Sequence, residues 1–437
     1  MLATNEFSTN DVQNLCQRYF GESQQTNGHK KDQNTEVRVL SYDLKPTSDA
    51  PAGFLGVHQF LNVEFLTVDD AGCEKLQKVC FFMKSAAQDN ESRLEYLENF
   101  GVFKKEIHVY REVLPRLTPI FGAVAPKSYY ANNNVLIFED LCGQGYKMGA
   151  ERSGLLDHEH LSCALRCLAT MHAASIVHEV KMSGTKLNAI YPNAVVENSY
   201  PLHIAENHVR SQNFHQANKV FKEIIKLLPK YQKQLDFILV NFTERMEVIF
   251  TLSKTSEKYQ NVFSHGDLWA NNCMFKYGKY GNIPIDCRFV DFQLARYAPP
   301  LIDVITLLTI PSSRDFREKY FTELLNHYYH LMTEFLLRAG LDIKDYIPRS
   351  DYEKQVAEYR IYGLIESCLF SHLTILPPKL TQHLTGTTDG FSDFFERKRV
   401  ELCLEAFRTD QIYRERLTDM LEDFVDNFVL KSNYINL

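Results

Sequence analysis

Between two short apolar runs the sequence holds FSHGDLWANNCMF, residues 263–275, in which His265, Asp267 and Asn272 follow the spacing His-x-Asp-x-x-x-x-Asn. A second apolar run, CRFV at 287–290, leads into Asp291, and the turn-prone YGKYGN separates it from CMF at 273–275. If those runs pair as a hairpin, the start of one strand and the end of the other share an edge, and Asp267, Asn272 and Asp291 converge there. Two carboxylates and an amide oxygen at one edge supply what phosphoryl transfer requires: hard oxygen ligands for Mg²⁺ and a carboxylate beside the attacking hydroxyl. Asn272 and Asp291 would then ligate the metal, with Asp291 bridging it to nucleotide phosphates. Asp267 stays unligated to orient and deprotonate the acceptor alcohol. Asp and Asn also favour turns by bonding their own backbone, so an Asx-rich turn is the plain alternative.

The same chemistry asks for a lysine on a strand, to hold the α and β phosphates, and a helix carboxylate to orient it. Lys84 ends the apolar run FFMK, and Glu106 lies on the apolar helix that follows, where Glu112 competes for the role. A strand-end lysine reaching to solvent and a solvated helix charge are the alternatives. A metal-hydrolase reading of His265 with Asp267 and Asp291 lacks the further histidines that zinc sites recruit. His265 is read instead as holding the loop backbone or the Asp291 region. His172, on an apolar helix face, reads as a core residue, and Trp269, the single tryptophan, either packs under the loop, the favoured reading, or touches substrate. Asp303 in PPLIDVITLL is expected to begin a helix and bond back to the loop.

These residues need elements to position them. From Glu36 to Leu141 the runs VRVLSYDL, FLNVEFLTV, KVCFFMKS and NVLIFEDL predict an antiparallel sheet. One helix interrupts it around Leu94 to Leu114, with Phe100, Phe103, Ile107, Tyr110 and Leu114 on one face. Beyond Gly149 helical spacing takes over, first in Leu161, Ala164, Leu165, Leu168, Ala169 and His172, with Asp157 as N-cap. Further helices are predicted around 221–228, over 235–249, after Pro311, over 356–373 and over 401–430. The expected division is an N-terminal extension with a helix at 1–35, a β-rich nucleotide lobe with one helix at 36–141, and a helical lobe at 142–437 carrying the catalytic loop and acceptor pocket. Helices near 205–255 and 350–375 would wall that pocket.

Composition narrows the function classes. Of 437 residues, 45% are hydrophobic and 24% charged, ordinary globular usage, and the net charge of −7 argues against a nucleic-acid surface. MLATNEFSTNDVQNL lacks the basic start and apolar run of a signal peptide, and no segment approaches the roughly eighteen apolar residues of a membrane span. A cytoplasmic protein with no obligatory protein partner is expected. The 10 cysteines include no CxxC pair and are read as buried thiols.

The segments FFMKS, VFKKEIHVYREVLP, LIFEDLCGQGYKM, LATMHAAS, FSHGDLWANNCMF, FVDFQLARY and PPLIDVITLL resemble, in order and spacing, the ecdysteroid kinase-like family, also called CHK kinase-like. That mainly insect branch is related to choline kinases and aminoglycoside phosphotransferases, and the resemblance runs from about residue 36 to 430. It implies an α+β, bilobal protein-kinase-like fold with an antiparallel sheet N-lobe and a mainly helical C-lobe. It implies an enzyme, a phosphotransferase with an alcohol group as acceptor, using ATP and Mg²⁺ on a small lipophilic molecule. Ecdysteroids are the family's best-known substrates, and detoxification of foreign compounds is a proposed wider role. Carried over by position, Asp267 is the catalytic base, Asn272 and Asp291 are the Mg²⁺ ligands, Lys84 is the phosphate-holding lysine and Glu106 its partner. Glu139, Asp140 and Leu141 form the hinge whose backbone meets adenine. For the phosphate-cradling loop the chain offers APAGFLGVHQF, with Gly53 and Gly56 and no GxGxxG. Phe292-Gln293 after Asp291 replaces Phe-Gly and removes a flexible glycine. Two functions stay open: an active small-molecule kinase, and a non-catalytic kinase-fold protein that sequesters a small lipophilic ligand.

Overall fold

The computed structural model describes residues 8–26, 36–47, 56–69, 72–86, 98–132, 134–201, 208–279, 281–386 and 388–431; Gly53 lies outside them. The chain forms two compact units, Met1–Leu97 with Pro126–Gly145, and Glu98–Ala125 with Tyr146–Leu437.

In the first unit, strands β1 (Glu36–Pro46), β2 (Gly56–Val68), β3 (Glu74–Ala86), β4 (Ser128–Ala131) and β5 (Val135–Glu139) form one antiparallel sheet in the order β1-β2-β3-β5-β4. Side chains alternate across a strand, so Leu61, Val63 and Phe65 of β2, Phe81 and Met83 of β3, and Val135 and Ile137 of β5 are buried in one core. Helix α1 (Thr9–Thr26) contributes Val12, Leu15 and Cys16 to that core. Ser8 and Asp11 open α1 with reciprocal bonds, Ser8 N to Asp11 Oδ2 at 2.8 Å and Asp11 N to Ser8 Oγ at 3.3 Å. The alternate positions carry Phe60, Phe82 and Phe138, with Phe82 6.2 Å from Phe60 and 6.4 Å from Phe138 between ring centroids. Lys84 shares the parity of Phe82 and stands in register with His58 and Leu136.

In the second unit the helix predicted to end at Leu114 runs further. Gly101, with φ 67°, precedes α2 (Val102–His108), a π-turn at Val109–Val113 follows, and α3 (Leu114–Phe121) continues beyond it. Pro115 is tolerated because it sits in the first turn of α3. Next come β6 (Tyr146–Met148), α4 (His158–Lys181), α5 (Val209–Leu227) and α6 (Leu235–Glu247). Asp157 caps α4, its carboxylate accepting from His160 N at 3.0 Å. The β segment consists of β7 (Val262–Ser264), β8 (Cys273–Tyr277), β9 (Pro284–Phe289) and β10 (Arg296–Ala298). It builds a three-stranded sheet β6-β8-β9 and a two-stranded pair β10-β7. The longer of the remaining helices are α7 (Pro300–Thr309), α8 (Arg314–Arg338), α9 (Arg349–Thr374), α10 (Arg399–Thr409) and α11 (Gln411–Phe424), with shorter helices, among them Pro378–Gly386, between them. The single helix predicted over 401–430 breaks at Asp410, whose carboxylate accepts from Tyr413 N at 2.9 Å and so caps a second helix.

Burial of the cysteines is a partial correction. Cys16, Cys167, Cys273, Cys287, Cys368 and Cys403 are buried free thiols, Cys80 and Cys163 are half-buried, and Cys73 and Cys142, in turns of the first unit, are exposed. Among the described residues no helix is long and apolar enough to cross a membrane.

Candidate active site

The two apolar runs around YGKYGN do pair: Cys273 faces Phe289, Met274 faces Arg288 and Phe275 faces Cys287 across the β8–β9 hairpin. Val290 N donates to Asn272 O at 3.0 Å, which carries the ladder past the strands and holds Asn272 beside the residue preceding Asp291. Upstream, the loop between β7 and β8 folds onto itself. Asn272 donates from Nδ2 to Asp267 O at 2.8 Å, and Asn272 N donates to Trp269 O at 3.0 Å. His265 joins both ends: its Nδ1 accepts from Asp267 N at 3.2 Å, so Nε2 carries the proton donated to Val290 O at 3.0 Å. Its ring also lies 4.4 Å from that of Phe292. The expected role of His265 in holding the loop is therefore realised in backbone contacts.

Asp303, in the first turn of α7, supports the same loop. Its Oδ2 accepts from His265 N at 2.6 Å and Oδ1 from Gly266 N at 3.0 Å. His172 of α4 donates from Nε2 to Oδ2 at 3.2 Å and accepts on Nδ1 from Tyr328 OH at 2.7 Å. Both His172 and Asp303 are fully buried. Gly266 adopts φ 77°, and a Cβ there would fall on the Leu294 carbonyl oxygen, with Arg296 Nε 3.0 Å away. Gly266→Ala is expected to destabilise the protein by about 2–5 kcal/mol, from the left-handed backbone cost of about 1–2 kcal/mol and a clash of about 1–3 kcal/mol. Urea unfolding measures it, and a loss under about 1 kcal/mol would show that the loop tolerates a side chain there.

The electrostatics at this edge are unusual. Asp267 is 4% exposed, and its Oδ1 is buried with no hydrogen-bond partner. Burial, followed by the nearby Asp291 charge, raises its pKa well above the ordinary carboxylate range; the Gln293 and Asn272 amides work in the opposite direction. Asp291 adopts φ 67° and ψ 66° and, with Ser183, is one of two non-glycine residues at positive φ among those described. An aspartate held in that left-handed region stores about 1–3 kcal/mol, a feature that clusters at functional sites. Asp267, Asn272 and Asp291 are thus brought to one edge of the hairpin.

The other expected residues are distributed between the two units. In the first, Lys84 on β3 is 7% exposed, and a Cβ at Gly56 would meet Lys84 Cε at 3.5 Å. Glu139 ends β5, where its carboxylate accepts from Lys127 N at 2.8 Å and Gln144 Nε2 at 2.9 Å. The turn after it is closed by Gln144 N bonding to Asp140 O at 3.3 Å and Leu141 O at 3.1 Å. In the second unit, Glu106 on α2 is 1% exposed, whereas the competing Glu112 is half-exposed and bonded to His108 Nδ1 at 2.7 Å.

One buried network escaped the sequence reading. Arg296 is 1% exposed and ion-pairs with Glu197 at 3.0 Å. It donates to Tyr362 OH at 3.0 Å, Ser199 Oγ at 3.2 Å and Gly266 O at 3.4 Å. Tyr362 and Tyr200 both donate to Glu366, at 2.6 Å and 3.0 Å, and burial raises the pKa of Glu366. Lys105 donates to Asn198 Oδ1 at 2.5 Å and Ala295 O at 2.8 Å, and burial pulls its pKa down to about 7. A single cation in the otherwise apolar LARYAPPLI was the available signal for Arg296. Glu366 gave none, because what buries it comes from distant segments: Tyr362 is one helical turn away, but Tyr200 is 166 residues away in sequence.

Residues 61–341 match the model of the ecdysteroid kinase-like family. The chain belongs to the ecdysteroid kinase-like family. The span that shows this membership includes Lys84, Glu106, the 139–141 turn and the whole 265–291 constellation, and leaves Gly53 and Gly56 outside. No curated protein matches the chain. Solved structures that are similar include aminoglycoside 2′-phosphotransferase-IIIa with GDP, at 13% identity and TM-score 0.39, over 95% of this chain and 100% of that one. A mutant of the same enzyme with GDP gives 12% and 0.39, over 94% and 97%. A microcompartment-associated aminopropanol kinase gives 12% and 0.33, over 88% and 98%. Family membership supports a small-molecule phosphotransferase. Among the described residues, no group of three or more His, Cys, Asp and Glu side chains could hold a metal ion.

Proposed function

We propose that the protein is an ATP- and Mg²⁺-dependent kinase that transfers the γ-phosphoryl group to a hydroxyl of a small lipophilic metabolite, an ecdysteroid-like steroid or a xenobiotic. The observation that carries the reading is the edge where Asp267, Asn272 and Asp291 meet, with Asp267 Oδ1 buried and unbonded. Buried carboxylates are costly unless a proton or a cation compensates them. Asn272 and Asp291 fit a hard cation: Asn272 has committed Nδ2 to the loop, leaving Oδ1 as a neutral oxygen ligand, and Asp291 adds a charge. Mg²⁺ bound there would neutralise charge on the nucleotide phosphates. Asp267 would accept the proton of the acceptor hydroxyl, Lys84 would hold the α and β phosphates with Glu106 orienting it, and the backbone of Glu139, Asp140 and Leu141 would meet adenine. Gly56 and Gly53 would approach the phosphates through backbone amides. A cytoplasmic location suits an enzyme that draws on ATP.

Two measurements test this. ATP with Mg²⁺ at about a hundred times its Kd is expected to stabilise the protein by about 2.7 kcal/mol, read as a rise in Tm that Mg²⁺ alone does not reproduce. Mass spectrometry should then show the gain of one phosphate on one compound class among ecdysteroids, other sterols, choline, ethanolamine and plant phenolics. No stabilisation by the nucleotide would move the assignment to a protein of the same family that only sequesters a lipophilic ligand.

A further inference from the structure

Beside the loop that carries Asp267, but without Asp267 or Asn272 in its walls, lies a cleft of about 170 Å³. Trp269 and Asn271, which fall between those two residues in sequence, form one wall, and Thr374 and Ile375 at the end of α9 form another. Its volume lies below the roughly 300–1,000 Å³ of sites that enclose a whole drug-sized ligand. It therefore suits part of a molecule, one or two rings. No residue of the 205–255 region, expected to wall an acceptor pocket, lines this cleft; α9, expected to do so, does.

Two arginines complete the lining, Arg152 and Arg416. Arg416 is 6% exposed and donates Nη1 to Ser312 O at 3.1 Å and Nη2 to Ile310 O at 2.8 Å, while its Nε is buried without an acceptor. Arg152 likewise has a buried Nε without an acceptor. Those two Nε atoms are closed to a ligand, but the Arg152 side chain is 31% exposed, so its guanidinium is the one of the two that an occupant can meet. Both guanidinium charges are already balanced, Arg152 by Asp410 at 2.8 Å and Arg416 by Asp419 at 3.8 Å, and Glu151 adds a carboxylate to the lining. The cleft therefore offers the partly exposed Arg152 guanidinium as a donor on an indole-and-aliphatic surface without excess positive charge. A carboxylate or sulfate would meet the Asp410, Asp419 and Glu151 charges, whereas a carbonyl oxygen would not.

The geometry points to this cleft as the subsite for a neutral, carbonyl-bearing ring of the acceptor, with Arg152 donating to the carbonyl and Trp269 covering the ring face. That the occupant is the acceptor rests on the kinase reading above; that the cleft binds such a ring does not.

Trp269 is the only tryptophan, so the protein carries its own reporter. The full-length chain is titrated with decalone, decalin and decalin carboxylate while tryptophan emission is followed. Decalone is expected to change the emission saturably and bind about tenfold tighter than decalin, the effect of one charge-assisted hydrogen bond, with the carboxylate weaker than the ketone. Arg152→Met, at the partly exposed arginine, should bring the ketone-to-hydrocarbon ratio close to one, and Thr374→Phe should abolish the response by filling the cleft. An emission that none of the probes alters, a carboxylate that binds more tightly than the ketone, or a ratio unchanged in Arg152→Met would each overturn the assignment. Phosphoryl transfer is assayed separately: its absence beside a saturable decalone response would remove the kinase reading and leave the cleft assignment intact.

Discussion

Asp267→Asn is expected to lower phosphoryl-transfer turnover by about 10²- to 10⁴-fold, the range for loss of a positioned general base, while Mg²⁺·ATP affinity changes little. The substitution keeps the size of the side chain and removes the oxygen that would take the acceptor proton. The surroundings should accept it, because the native carboxylate is already under pressure to be neutral: it is buried, its Oδ1 is unbonded and Asp291 lies nearby. Removing a charge from such a position should leave stability equal or raised, so lost activity cannot be ascribed to unfolding. Steady-state kinetics beside nucleotide titration distinguishes the outcomes. Wild-type turnover would remove Asp267 from the chemistry, and loss of nucleotide affinity in step with turnover would give it a metal-binding role instead.

Asp303→Ala carries the largest expected effect on stability. It would leave His265 N, Gly266 N and His172 Nε2 without their acceptor in a fully buried setting. Breaking a buried charged hub costs about 3–5 kcal/mol, and the 265–267 backbone would lose the anchor that aims Asp267. Unfolding in urea and turnover should therefore fall together. A loss under about 1 kcal/mol would show that the loop is held elsewhere. The linkage to pH follows from the direction of the Asp303 shift. Burial works to raise its pKa, but the hydrogen bond from His172, the favourable electrostatics of the His172 and His265 rings and the Gly266 amide outweigh it and leave the value lowered. A lowered folded value means that the unfolded chain takes up the proton first as pH falls. The stability from Asp303 is thus complete above the unfolded value near pH 4 and is lost as pH drops through the folded value. Asp303→Asn lacks that titration, so the stability gap between it and the wild type should narrow below about pH 4.

The two substitutions probe different ranges of contact. Asp267, Asn272 and Asp291 were legible because a loop, a hairpin and a turn bring them together over fewer than thirty residues. Local spacing alone places them once CMF and CRFV pair. Asp303 was half-legible: Pro299-Pro300 announced a helix start, but the two amides it accepts from became visible only after α7 had packed under the loop. Helix ends were read less well than helix bodies. The break at Asp410 needed an N-cap within a continuous helical pattern, and the extension from Leu114 to Phe121 passed through a proline that usually marks an end.

The sequence by itself determined the antiparallel character of the first unit, through side chains alternating with period two, and the helical character of the second, through apolar residues at three and four. It determined the edge where two aspartates and an asparagine meet, and the family, through motifs that are each local. Only the tertiary structure decided which polar groups are buried and whom they bond. Arg296 reaches Glu197 and Tyr362, Tyr200 reaches Glu366, and Arg152 and Arg416 come to line one cleft with Trp269, from segments about 60 to 260 residues apart. The physical reason is range: hydrogen bonds along a strand or helix turn are set by neighbours in sequence, whereas desolvation of a side chain depends on whatever the folded chain packs against it.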